Sequence, residues 1–427
     1  MSTGAAPNGV GTYRALFRNA PFVNLFSAGI GSTLGATAAQ ICLVWLIYAD
    51  TRSSIDIAYL GVVGSLSGIA FSLVGGTLVD RYDRRRLMIL SDFSRAAMTA
   101  ILVLVLAFRG FNLPAILVEE FVVSAFTVVF NPAEQSFIPS LVEGRDLPDA
   151  NGVVRASRNT ASFLGAAVGG VLVVTLGPIA GVAVMGATFL VSGILISLIA
   201  PSWGALAALA PARRRRARFT GDLREGFAWL YRNTGLFQLT VSATFFNFFS
   251  TIFGTFLVFY ATDLLHGSAL VFAGLLAVTV VGNGIGALLV GRVGAVRWAG
   301  RAWVIPYGVV SAVLLILMAR FPSIALAIPL TFAIGLCISF AGTAWLTAAQ
   351  LLVPTEMQGR YFGIDGLGSW AIIPIGTILG GVLIASVGVG ETYLIAGTGW
   401  LLTGLVFLIP RALRRLGYPP PRTTTLS

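Results

Sequence analysis

Glu119 and Glu120 stand side by side in an apolar run, Ile116-Leu-Val-Glu-Glu-Phe-Val-Val-Ser-Ala-Phe126. A carboxylate kept in such surroundings costs several kcal/mol, so it marks work that a charge or a proton must do. At 3.6 residues per turn the two point about 100° apart, so both cannot face one cavity squarely. One is a proton-binding candidate; the plainer alternative is that one reaches outward to water and the other pairs structurally. Asp92 and Arg95, one turn apart in another apolar run, read as a local ion pair. Asp80 closes a further run and is followed by Arg81, Arg84 and Arg85. An acid at a helix C-terminus is disfavoured by the dipole. Asp80 therefore needs Arg84 or the positive N-terminus of another helix, and such a cluster can latch one conformation and release in another. Asp365, barely one turn inside a later run, is a gating candidate. No Walker A sequence and no catalytic constellation occur, so the chain is not expected to be an enzyme. A single histidine, His266, is too little for a His-based metal site or relay, and neither metal nor cofactor is expected. Cys42 and Cys337 lie in apolar stretches and read as small core residues.

The elements that must position these groups follow from composition. Apolar residues make up 56% of the 427 and charged residues 11%. A soluble domain carries about 25% charged residues, so most of this surface must face lipid. The fold class expected is an all-α membrane protein. Twelve runs of about 20 residues qualify as spans: 22–48, 57–79, 87–108, 112–131, 154–176, 179–200, 236–261, 269–290, 302–319, 323–349, 361–386 and 391–409. All 28 basic residues are arginine; 24 fall in the termini and alternate connections, 3 on the opposite side and 1, Arg95, within a span. The positive-inside rule then makes both termini cytoplasmic, in the cell membrane. The net charge of +11 reflects this topology, so no nucleic-acid partner is expected. The polar segment 1–21 holds no signal-peptide core. Arg155 and Arg158, opening the fifth span, read as interfacial anchors.

The chain divides into a cytoplasmic N-terminus (1–21), six spans (22–200), a basic linker (201–235), six more spans (236–409) and a tail (410–427). Leu223, Phe227, Leu230 and Tyr231 recur at helical spacing in the linker, predicting an interfacial amphipathic helix. The halves repeat. Gln135, Pro139 and Gly144-Arg145 return, with their mutual spacing kept, as Gln350, Pro354 and Gly359-Arg360. Gly165, Gly169 and Gly170 return in the same way as Gly376, Gly380 and Gly381. A repeat that crosses six spans returns to the same side, so the two six-helix bundles are related in parallel.

The run Gly76-x-Leu78-x-Asp80-Arg81-x-x-Arg84-Arg85 closely resembles motif A of the major facilitator superfamily. The stretch from about 14 to 410 resembles the superfamily's macrolide-efflux and enterobactin-exporter branch, through Phe130-Asn-Pro-Ala133, Pro139-Ser-Leu-Val and Ala150-Asn-Gly. Gln350-x-x-x-Pro354 with Gly359-Arg360 carries it into the second half. Gly165, Gly169 and Gly170 stand as in the antiporter motif C, with Ala166 where proline is usual. Motif B, an arginine inside span 4, is missing, and the second motif A copy has Gly291 in place of the aspartate.

The resemblance implies the major facilitator fold, with spans 1, 4, 7 and 10 lining a central cavity. Gln40, Phe246, Asn247, Trp345 and Gln350 are then candidates for the substrate wall. It implies a monomeric, proton-coupled secondary transporter that exports lipophilic or amphipathic small molecules by alternating access, in the manner of a multidrug antiporter. Alternatives are a dedicated exporter or importer of one metabolite, siderophore-like, and a lysolipid flippase. Gly76, Asp80, Arg81, Arg84, Arg85 and Asp365 would form the conformational latch, and Glu119 and Glu120 the proton-coupling candidates.

Overall fold

A computed structural model describes residues 16–142, 146–200, 219–294 and 299–415, and their regular structure is helical throughout. Helix α1 (Ala20–Thr51) starts where Asn19 caps the Phe22 amide at 3.3 Å. It is followed by α2 (Ser54–Arg81), α3 (Arg84–Arg109), α4 (Leu113–Leu141), α5 (Leu147–Thr175) and α6 (Pro178–Ser197). Asp83, within the motif A run, is the N-cap of α3 and accepts from the Arg86 amide at 3.1 Å. Asn112 caps α4 in the same way at 2.9 Å.

The short α7 (Phe219–Arg232) precedes α8 (Thr234–Thr255), which continues through a π-helical turn at Tyr260–Leu264. Then come α9 (Ala269–Val293), α10 (Ala299–Arg320), α11 (Ile324–Leu352) and α12 (Thr355–Leu408). A π-helical turn at Val304–Val310 interrupts α10. Ten of the described helices are long and apolar enough to cross a membrane. The last, within α12, breaks at Gly388 (φ 82°), where the eleventh and twelfth expected spans meet. In α5 the apolar stretch is the shorter Thr160–Thr175.

Two compact units form. The first comprises residues 1–52 and 63–214; the second takes residues 53–62 and 215–427. Residues 53–62 group with the second unit because the Ser54 hydroxyl donates to the Gly381 carbonyl at 2.7 Å. In the first unit α1 packs on α5 and α6, α6 on α3, and α3 on α4. The helices thus run α5–α1–α6–α3–α4, and the chain of close packing is open between α4 and α5. Its apolar core joins α1, α3, α4 and α6 through Phe22, Leu25, Met88, Phe130, Phe137 and Ile196, and takes in Val79 of α2 and Ala150 of α5.

Glycines let the helices approach. A Cβ on Gly165 would lie 2.5 Å from the Leu34 carbonyl oxygen, and one on Gly169 2.6 Å from that of Ala38. In the second unit α12 meets α8 likewise. A Cβ on Gly376 would lie 2.9 Å from the Phe248 carbonyl oxygen, and one on Gly380 2.6 Å from the Phe256 ring. The pairs Gly165/Gly376 and Gly169/Gly380 therefore serve the same helix–helix contact in both halves, while Gly381 lies against Ser54 and Ala58 of α2.

Candidate functional site

The first unit concentrates its polar groups along α4. Glu119 is 1% exposed and accepts from the Thr99 hydroxyl of α3 at 2.9 Å, leaving Oε2 without a protein partner. Glu120 turns to α2, where Gly64 makes room: a Cβ there would lie 2.5 Å from Glu120 Oε1. The Ser124 hydroxyl, one turn along, donates to Glu120 at 2.8 Å. Each glutamate thus has a hydroxyl partner, and neither is ion-paired among the described residues. An ionised carboxylate held this way lacks the cation that offsets its desolvation.

Further along, Asp92 and Arg95 pair inside α3. The Ser192 hydroxyl of α6 donates to Asp92 Oδ2 at 2.7 Å, and Arg95 reaches Thr127 of α4 at 3.3 Å. The Arg95 guanidinium lies between the rings of Phe130 and Phe189, 4.6 and 4.3 Å from their centroids. This pair braces α3 against α4 and α6.

Beside it the structure places a pair that the sequence does not announce. Glu134 of α4 is ion-paired with Arg158 of α5, so Arg158 is a partner for a buried acid rather than an interfacial anchor. The expected fourth span ends at 131, yet the helix runs on through Pro132 and Pro139 to Leu141. The signal that marks the longer helix is the row Phe130, Ala133, Phe137, Ile138, Leu141, which keeps helical spacing across both prolines.

Of the latch candidates, the surroundings of Gly76 and the side chains of Asp80 and Arg81 lie outside what is described, as does the side chain of Arg155. Arg84 donates to the Ser136 carbonyl of α4 at 2.9 Å and Arg85 to the Ser197 carbonyl at the C-terminus of α6 at 2.6 Å. Arg85 thereby satisfies a helix-end carbonyl with a favourable charge. In the second unit Asp365 is buried beside Thr240 and Tyr361, with Oδ1 unpartnered.

The cavity-wall candidates separate. Phe246 is fully enclosed, its ring 5.9, 5.3 and 6.3 Å from those of Trp303, Tyr307 and Phe407. It is a core residue of the second unit, which corrects its assignment to a substrate wall. Asn247 Oδ1 accepts from the Tyr307 hydroxyl at 2.9 Å, so that face of α8 is turned to α10. Trp345 is half-buried against Trp303 and Phe362, while Gln40 and Gln350 are exposed. Gly165, Gly169 and Gly170 stand in α5, and the first two lie against α1. Cys42 and Cys337 are free and buried, and no metal-binding group occurs among the described residues.

Residues 11–416 match the family described as transmembrane secretion effector. The chain belongs to this family of the major facilitator superfamily. Family membership agrees with curated relatives along nearly the whole chain. The multidrug efflux pump Tap of Mycobacterium tuberculosis is 26% identical over 418 residues, covering 94% of this chain and 96% of the relative. Macrolide efflux protein A of Streptococcus pyogenes is 23% identical over 400 residues, covering 92% and 97%. Among solved structures, the nucleoside transporter NupG superposes with a TM-score of 0.74 at 11% identity, covering 91% of this chain and 98% of that one. A bacterial homologue of the human lysosomal transporter Spinster superposes with a TM-score of 0.67 at 15% identity, covering 94% and 99%. The chain is thus a multi-pass membrane protein with the all-α major facilitator fold.

Proposed function

We propose that the protein is a proton-coupled exporter of lipophilic or amphipathic small molecules, working by alternating access from the cell membrane with both termini cytoplasmic. The observation that carries this reading is the pair Glu119 and Glu120, two carboxylates at membrane depth held by hydroxyls and by no described cation. Such groups suit reversible proton binding, and relatives named as efflux pumps supply the direction of transport. Protons taken up from outside load these carboxylates and leave toward the cytoplasm as substrate moves outward. The motif A residues Gly76, Asp80, Arg81, Arg84 and Arg85, with Asp365, control the change between conformations, and the protein acts as a monomer.

The test is uptake of a lipophilic cationic dye into inside-out vesicles, with and without an imposed proton gradient. Gradient-dependent uptake is expected from the wild type and is abolished by Glu119→Gln combined with Glu120→Gln. Unchanged pumping by that double variant would overturn the coupling role. Headgroup-dependent movement of a lysolipid without dye uptake would favour a flippase instead.

A further inference from the structure

The Glu134–Arg158 pair occupies a particular place in the first unit. Close packing links α5, α1, α6, α3 and α4 in turn and stops there, so α4 and α5 face each other across a seam. The ion pair spans that seam. Gly29 of α1 lies behind it, and a Cβ there would stand 2.9 Å from Glu134 Oε1 and 3.5 Å from Arg158 Nη2. The members differ in access: the Glu134 side chain is 3% exposed and that of Arg158 26%. Arg158 also keeps a buried Nε without a protein acceptor.

We propose that Glu134 and Arg158 form a proton-released clasp that closes the seam between α4 and α5. A proton from water binds Glu134 Oε2, the atom that accepts the Arg158 N–H, and the hydrogen bond between them breaks. Glu134 becomes a neutral acid, and Arg158, still charged, turns toward its exposed side. The charged groups facing Glu134 oppose one another: the cations favour the closed clasp and the neighbouring acid favours its release. Arg158 approaches from α5, and Asp92 and Arg95 act on it from α3. From α1 the facing residue is Gly29, which carries no charge. Arg95 cannot replace Arg158, because Asp92 and the rings of Phe130 and Phe189 hold it. With the clasp open, what holds α5 to the α4 core is the apolar contact of Leu147, Ala150 and Val154, and the seam beyond it can part. Only the clasp's place in the transport cycle rests on the proton-coupled reading above.

The experiment places spin labels on Gln135→Cys and Leu164→Cys, exposed positions of α4 and α5, in the full chain in lipid nanodiscs. The two native cysteines are buried and stay unlabelled. Acidification is expected to lengthen the distance between the labels. Glu134→Gln should show the long distance at every pH, and Glu134→Asp should restore the response. A static tie would leave the wild-type distance independent of pH, which overturns the proposal, as would a pH response that survives Glu134→Gln. The wild-type titration decides alone if the Gln variant does not fold. Neither substrate nor gradient is present, so this outcome is separate from any failure of vesicle uptake.

Discussion

At the scale of single residues, the position of a side chain decides between two roles that its chemistry leaves open. Phe246 has the aromatic character of a substrate wall but is packed among Trp303, Tyr307 and Phe407. Phe246→Ala should therefore cost about 3–5 kcal/mol of stability, as for other large-to-small core changes. Thermal unfolding in detergent will show a lowered midpoint, with the dye's apparent affinity unchanged in whatever protein stays folded. A selective loss of dye affinity at an unchanged midpoint would return Phe246 to the cavity. Charges are far easier to read from sequence than rings. Glu119, Glu120, Asp92 and Arg95 announce themselves because lipid-facing sequence tolerates so few ionisable groups. Aromatic residues on every side of α8 give no period, so nothing local says which of them face inward. Glu134 is hidden for another reason: two prolines mask the helix that carries it.

At the scale of elements, close approach of backbones does what hydrophobic burial does in water, since lipid tails are as apolar as leucine. A Cβ on Gly169 would meet Ala38 backbone atoms at 2.6 and 2.9 Å, and backbone cannot step aside as a side chain can. Gly169→Val is expected to cost about 1–3 kcal/mol through overpacking, and more if α5 is driven off α1. The loss should appear as a lower unfolding midpoint and poorer recovery of folded protein from membranes. Normal stability in that variant would mean that α5 and α1 do not meet at Gly169. Helix starts are legible from Asn19, Asp83 and Asn112, whose short polar side chains cap orphan amides. The π-helical turns are not. Pro306 lies inside one of them, yet a proline alone marks only a missing donor, not which hydrogen-bond ladder replaces the α-helical one.

At the scale of the whole molecule, the repeat is the most informative feature of the sequence, because glycines at corresponding places in the two halves make matching contacts in the two units. The acids do not repeat. In the register that carries Gln135 onto Gln350, Glu134 falls on Ala349. In the register that carries Gly165 onto Gly376, Arg158 falls on Ser369. The two halves therefore share a scaffold and differ in ionisable chemistry. Asp80→Asn tests the proposed latch, whose motif A acid has no counterpart in the second half, where Gly291 stands: transport should fall several-fold while membrane insertion and yield stay at wild-type levels. Wild-type flux in a well-inserted Asp80→Asn protein would sink the latch.

One geometric detail reaches beyond transport. Positive φ angles occur at Arg52, Gly110, Gly177, His266 and Gly388, each in a connection between consecutive spans. In the proposed orientation all five fall on the outer face, and a sixth, at Gly294, falls on the inner one. Chain that reverses in so few residues leaves almost no loop standing above the headgroups. In that orientation an antibody or a surface protease would find next to nothing to grip on the outer face.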